Sequence, residues 1–221
     1  NADYCRGGAG QITGRTSSGE HVRANTFLDG QDSYSMKRGA YGNFNHEIGH
    51  CFGLPDLYGE CDRLKYLSLM SDSWPVPAFG FCAYDRVKLG WVEPMLVEST
   101  KYDLELKPAE TNLQCIKIPT SSPAEYFLVE YRKKPTRGFG SLRDHSHPAY
   151  DGLAIYHVDE RRILTGNSTD PPLVSLESPQ GFHTGMPTTN DFWYPRNPKM
   201  KGPFVAASND GRLCGFHLEV T

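Results

Sequence analysis

The segment His46-Glu47-Ile48-Gly49-His50-Cys51-Phe52-Gly53-Leu54-Pro55-Asp56 constrains this chain more than any other. Two histidines four residues apart on a helix share one face, so both imidazoles can reach a single metal ion. Glu47 follows the first of them and projects beside that ion, where its carboxylate can take a proton from zinc-bound water and later deliver it to a leaving amine. Gly53 stands three residues past His50, where a helix can end in a left-handed residue without strain, and Pro55 keeps the helix from resuming. A sharp turn there brings Asp56 back toward the metal as a third, oxygen ligand. The fourth position is left for water or substrate, as in a catalytic zinc site. A bare H-E-x-x-H arises by chance on polar helices, whereas the glycine and aspartate of the extended motif narrow the reading to a hydrolytic zinc site.

The rest of the composition is that of a folded protein. At 221 residues, 38% hydrophobic and 12% aromatic, the chain can bury one large domain or two small ones. A net charge of −3 supplies no basic stripe, so nucleic acid is not an expected partner. No apolar run approaches the roughly 20 residues needed to span a bilayer. The first residues, Asn1-Ala2-Asp3-Tyr4, lack the pattern of a signal peptide, as expected of a chain already processed. Cys5, Cys51, Cys61, Cys82, Cys115 and Cys214 are even in number and contain no C-x-x-C pair, which allows up to three disulfides. Asn167-Ser168-Thr169 is an N-glycosylation sequon. Together these features point to a secreted protein, against the alternative of small buried cysteines in a cytoplasmic one.

Along the chain, Gln11 to Gly14 and the alternating His21 to Leu28 are expected strands, and Tyr41 to Phe52 is expected to be the zinc helix. A second helix is expected within residues 78–91, ended by Gly90. After Pro94 the texture changes. Tyr102 to Leu106 and Cys115 to Ile118 alternate, while Tyr126 to Tyr131 and Leu153 to Val158 are more continuously apolar. Short runs of this kind, separated by Pro, Gly and Ser, read as antiparallel strands of a sandwich, with a last strand at Leu213 to Val220. Residues 1–94 are therefore expected to form a catalytic region and 95–221 a β-rich region. Because Cys115 and Cys214 both fall in strands of the second region, they are expected to pair, leaving the other four cysteines to pair among themselves.

These residues resemble the immune inhibitor A family of secreted zinc peptidases, a metzincin-like group. The likeness runs from His46–His50 and Gly53-Leu54-Pro55-Asp56-Leu57-Tyr58 into Ser68-Leu69-Met70-Ser71-Asp72-Ser73-Trp74, which is similar to the family's methionine turn. It continues through Ala83 to Val92, Tyr126 to Arg132, Gly152 to Glu160, Leu173 to Gly181 and Asp191 to Pro195. The resemblance implies an α+β fold: a metzincin-like catalytic region followed by a sandwich-like β-rich region. It also implies zinc held by His46, His50 and Asp56, Glu47 as general base, and Met70 as the methionine-turn residue beneath the metal. Metzincin domains place a sheet and a long helix before the zinc helix, whereas 45 residues precede His46 here. The upper half of the cleft is thus expected on an upstream segment or propeptide, on a separate chain, or in reduced form.

The function expected is hydrolysis of internal peptide bonds in protein or peptide substrates by zinc-activated water. The rival is a secreted binding or adhesion module whose zinc only braces the fold. A zinc deacetylase or amidase fits the downstream segments less well. A calcium ion (Ca2+) beside the zinc (Zn2+) is a further expectation, for which Asp159, Glu160 and Asp191 are the carboxylates at hand.

Overall fold

A computed structural model of the protein describes residues 8–15, 18–19, 21–28, 40–60, 64–65, 67–71, 80–101, 103–133, 151–181 and 187–220. The fold is α+β, mostly sheet with few helices. Strands β1 (Gly8–Arg15) and β2 (His21–Leu28) form an antiparallel ribbon that packs on the helix of the histidine motif, α1 (Ala40–Cys51). A short helix, α2 (Ala83–Lys88), precedes a five-stranded sheet. Its strands are β3 (Met95–Leu96), β4 (Ile116–Pro119), β5 (Glu125–Lys133), β6 (Asp151–Asp159) and β7 (Val174–Leu176), in that spatial order. Only the β3–β4 pair is parallel. A second antiparallel ribbon, β8 (Phe204–Ala207) with β9 (Leu213–Leu218), closes the chain.

The continuously apolar runs are explained by the position of β5 and β6 in the middle of the sheet, where both faces are covered and alternation has no solvent side to report. Tyr126, Leu128, Ala154, Tyr156 and Val158 join one core with Leu57, Leu64, Leu67, Met70 and Tyr84. Their neighbours Phe127, Val129 and Ile155 point the other way, into a second core with Trp193, Phe204 and Ala206. The sheet is therefore a wall between the zinc-motif region and the β8–β9 ribbon. The first core draws on residues from both sides of the 94/95 boundary, so packing is continuous across the change in texture.

Three expectations need correction. Residues 103–106 form no strand, and Asp103 adopts a left-handed φ of 54° that breaks the extended conformation at its start; Tyr102 lies outside the described residues. Cys115 and Cys214 are not bonded to each other: both are free thiols. With Ile116 and Ile118 facing the second core, period-two alternation turns Cys115 to the first, while Cys214 packs against the second, and the sheet stands between them. Cys51 and Cys82 are also free, and Cys5 and Cys61 lie outside the described residues. Finally, Asn167 is 0% exposed, its amide donating to the Val174 carbonyl at 2.8 Å and accepting from the Val174 amide at 3.1 Å. A glycan on that nitrogen does not fit the folded chain. The second helix is real but short, starting after Cys82, whose amide donates to Asp85 Oδ2 at 3.0 Å, and followed by Gly90 at φ 69°.

A charged cluster ties the β8–β9 turn to the sheet. The buried ring of His157 stacks on Phe127 and lies 2.9 Å from Glu125 Oε1 and 3.3 Å from Glu177 Oε1, while the Asn209 amide donates to the same Glu125 oxygen at 2.6 Å. Burial works to lower the His157 pKa, but Glu177 and Glu125 outweigh it and raise it above its usual value. A histidine with a raised folded pKa contributes stability that is fully present below its unfolded value and lost as pH rises through the folded one. The thermal stability of the parent should therefore exceed that of His157→Gln most near pH 6, with the gap narrowing as pH rises above neutrality. Melting curves of both proteins from pH 6 to 9 check this, and a gap that widens with pH contradicts it.

Candidate metal centre

Helix α1 ends as the motif requires. Gly53, at φ 89°, donates to the His50 carbonyl at 2.9 Å, and Leu54 donates to that of Gly49 at 3.1 Å. This double closure satisfies two of the helix's last carbonyls. It also turns the Leu54 carbonyl toward His50, whose Nδ1–H donates to it at 2.9 Å. The Nδ1–H of His46 donates to the Leu69 carbonyl at 2.7 Å. With both inner nitrogens so engaged, each neutral ring presents an unprotonated Nε2.

Those two nitrogens lie 3.1 Å apart, and Asp56 Oδ1 lies 3.2 Å from His46 Nε2 and 3.1 Å from His50 Nε2. Three acceptor atoms at such distances repel one another unless a cation lies among them. Asp56 Oδ1 is itself screened from solvent without a hydrogen-bond donor of good geometry. Ligands about 2.0–2.1 Å from a tetrahedral zinc stand about 3.3 Å apart, so the triangle fits zinc to within a few tenths of an ångström. His46, His50 and Asp56 are the one group of three metal-ligating side chains brought together among the described residues. Asp56 keeps 43% of its side chain exposed against 11% for His46, so the centre opens to solvent on the aspartate side.

The electrostatics agree. The Asp56 carboxylate beside it raises the His50 pKa against the opposing effect of burial, with a smaller contribution from the charge of Glu47. Burial works to raise the Asp56 carboxyl, but the His46 and His50 rings beside it hold it far below the usual carboxylate range. Any proton held between His50 and Asp56 must leave when a metal ion binds.

Other predicted residues fall as follows. Glu47 is largely buried on α1. Met70 is fully buried beneath the helix, and a Cβ at Gly49 would collide with its sulfur. Ser73 and Trp74 of the methionine-turn stretch lie outside the described residues. Tyr58 is half exposed, its ring 5.8 Å from that of His46. The three carboxylates considered for calcium are employed separately. Asp159 pairs with Arg161 and Asn209, Glu160 accepts from Tyr126 and pairs with Lys88, and Asp191 accepts from Thr188 and Ser178. Sequence reasoning missed the two carbonyls that orient the histidines, because any residue type supplies a carbonyl. It also missed Gly166, whose Cα approaches the Asp56 carbonyl so closely that a Cβ would collide with it.

No protein-family model, curated protein or solved structure gives a significant match to this chain. The site therefore has to be read from its own geometry. Gly166 supplies a direct test of whether the β-rich region shapes it. Gly166→Ala adds strain at φ 54° and drives a methyl group into the backbone of Asp56, whereas Gly211→Ala adds strain at φ 81° in open space. Gly166→Ala should weaken zinc binding about tenfold or more, the scale of a disturbed outer-shell partner, and Gly211→Ala should not. Competition titration with a chromogenic chelator measures both.

Proposed function

We propose that this chain is a secreted zinc-dependent endopeptidase, similar to the immune inhibitor A family and metzincin-like in its catalytic region, acting on protein or peptide substrates. The observation that carries the reading is the triangle of His46 Nε2, His50 Nε2 and Asp56 Oδ1 at 3.1–3.2 Å, open on one side. Bound zinc would supply Lewis acidity toward a scissile carbonyl and lower the pKa of water. The chain's residues do the remainder. His46, His50 and Asp56 hold the ion, with both rings kept in the required tautomer by the Leu69 and Leu54 carbonyls. Glu47, one residue after the first ligand, is not among the ligating group and serves as the base that takes the water's proton and passes it to the departing amine. Met70 and Gly49 fill the floor beneath. Tyr58, half exposed beside His46, lines the mouth where substrate enters. A zinc that merely braced a fold would be closed by a fourth protein ligand, and among the described residues none joins the three.

The test is metal analysis of the purified chain with casein digestion in the presence and absence of chelator. Glu47→Ala should keep its zinc and lower digestion by about two orders of magnitude or more. Asp56→Ala should lose zinc on dialysis, while Asp210→Ala, at an exposed carboxylate remote in sequence, should retain it. Zinc retained without digestion in the parent would leave a bracing or binding module as the reading. Equal zinc in the two aspartate variants would remove Asp56 from the ligand set.

A further inference from the structure

The turn at Leu67–Ser71 touches one residue of the candidate metal centre and the chain neighbours of the other two. Its Leu69 carbonyl accepts from His46 Nδ1 at 2.7 Å. Its Met70 carbonyl accepts at 2.7 Å from the amide of Leu57, the residue next to Asp56. The Met70 side chain lies against Gly49, between Glu47 and His50 on the floor of the helix. A displacement of this turn would disturb the His46 ring directly, and the Asp56 loop and the helix floor through Leu57 and Gly49.

The turn is itself held by a buried carboxylate. Asp85, on α2, is fully buried and accepts from Ser68 Oγ–H at 2.5 Å; Ser68 Oγ in turn accepts from the Met70 amide at 2.9 Å. The same Asp85 oxygen accepts from the Cys82 amide at 3.0 Å, and the Leu69 amide donates to the Gly80 carbonyl at 3.0 Å. Capping α2 requires only the bond to Cys82. The bond to Ser68 does something else, because it spans from α2 to the turn and ends on the backbone that carries the ligand-orienting carbonyls. In a site closed to water such a bond faces no competition from solvent and fixes the orientation of both groups.

We propose that Asp85 is a positioning residue of the metal centre, acting through Ser68 on the turn that orients His46, seats the loop of Asp56 and supports the helix floor. This rests on the metal-site reading given above. The Ser68–Asp85 bond sets the ligand geometry from below, so its loss should loosen the metal without removing a ligand.

The test uses Co2+ as the probe, whose visible absorption reports ligand geometry, and the metal-free melting temperature as a separate measure of stability. Ser68→Ala removes one oxygen and almost no volume. It should bind Co2+ 10- to 100-fold more weakly than the parent, the scale of outer-shell losses, with a shifted absorption band. Asp85→Asn keeps an acceptor for Ser68 and Cys82 and should fall between. Asn197→Ala, which removes a buried amide bonded to the Asn190 and Phe192 carbonyls, should lower the melting temperature yet leave Co2+ affinity and spectrum unchanged. Parent-like Co2+ affinity and spectrum in Ser68→Ala, or in Asp85→Asn should the former not fold, would overturn the proposal. A parent that takes up neither Co2+ nor Zn2+ would overturn the metal reading and this inference together. A parent that binds metal but digests no casein would overturn only the peptidase reading.

Discussion

Two imidazoles on one helix face can serve one ion only if the inner nitrogen of each is occupied by something other than the ion. In this protein both are occupied by main-chain carbonyls: Leu69 for His46, and Leu54 for His50. The two carbonyls have different origins. Leu54 arrives as a by-product of the helix stop, since the left-handed Gly53 that ends α1 also folds the next residue back beneath His50. Leu69 must be delivered by a segment that is distant in sequence, and delivering it depends on everything packed beneath the turn.

That packing explains why the zinc motif and the β-rich region share a core. Met70, Leu67 and Leu64 pack with Tyr84 of α2 and with Tyr126, Leu128 and Tyr156 of the central strands. Polar bonds cross the same layer. Arg86 of α2 pairs with Glu130 of β5 and donates to the Ala109 carbonyl at 2.7 Å, and Tyr156 donates to Glu130 at 2.7 Å. Buried ionic groups of this kind are costly when one partner is lost, so they hold α2 to the sheet in one register. On the far side, the loop after β6 brings Gly166 against the Asp56 carbonyl and Asn167 against Gly59. Asp56 is therefore bounded by a loop more than a hundred residues downstream.

How far the sequence could be read depended on how local each signal is. The spacing of His46 and His50 and the closure at Gly53 follow from helix periodicity and from one residue's tolerance of positive φ, and both were legible. The strands at 21–28 and 213–218 were legible from residue type and spacing, and the central strands from their apolar runs. The misreadings have a common cause. Tyr102 to Leu106 alternates like a strand, but residues 103–106 pair with no strand of the sheet and Asp103 takes a left-handed φ. Cys115 and Cys214 share a region, yet one residue of register decides which face of the sheet a side chain meets. Asn167 carries a sequon, yet its amide is consumed by Val174.

By itself, the sequence determined the two histidines' spacing on α1, the turn that follows and the α+β texture, because these depend on chain covalency and periods of a few residues. Tertiary structure alone decided that the three acceptor atoms converge to 3.1–3.2 Å and that Leu69 faces His46. It also decided that Asp85 reaches Ser68 and that Gly166 closes on Asp56. Those contacts involve main-chain carbonyls, a serine, an aspartate and a glycine, groups found throughout any chain. What gives them meaning is the packing of α2 and the central sheet against the segment from Leu57 to Met70, which no local pattern encodes.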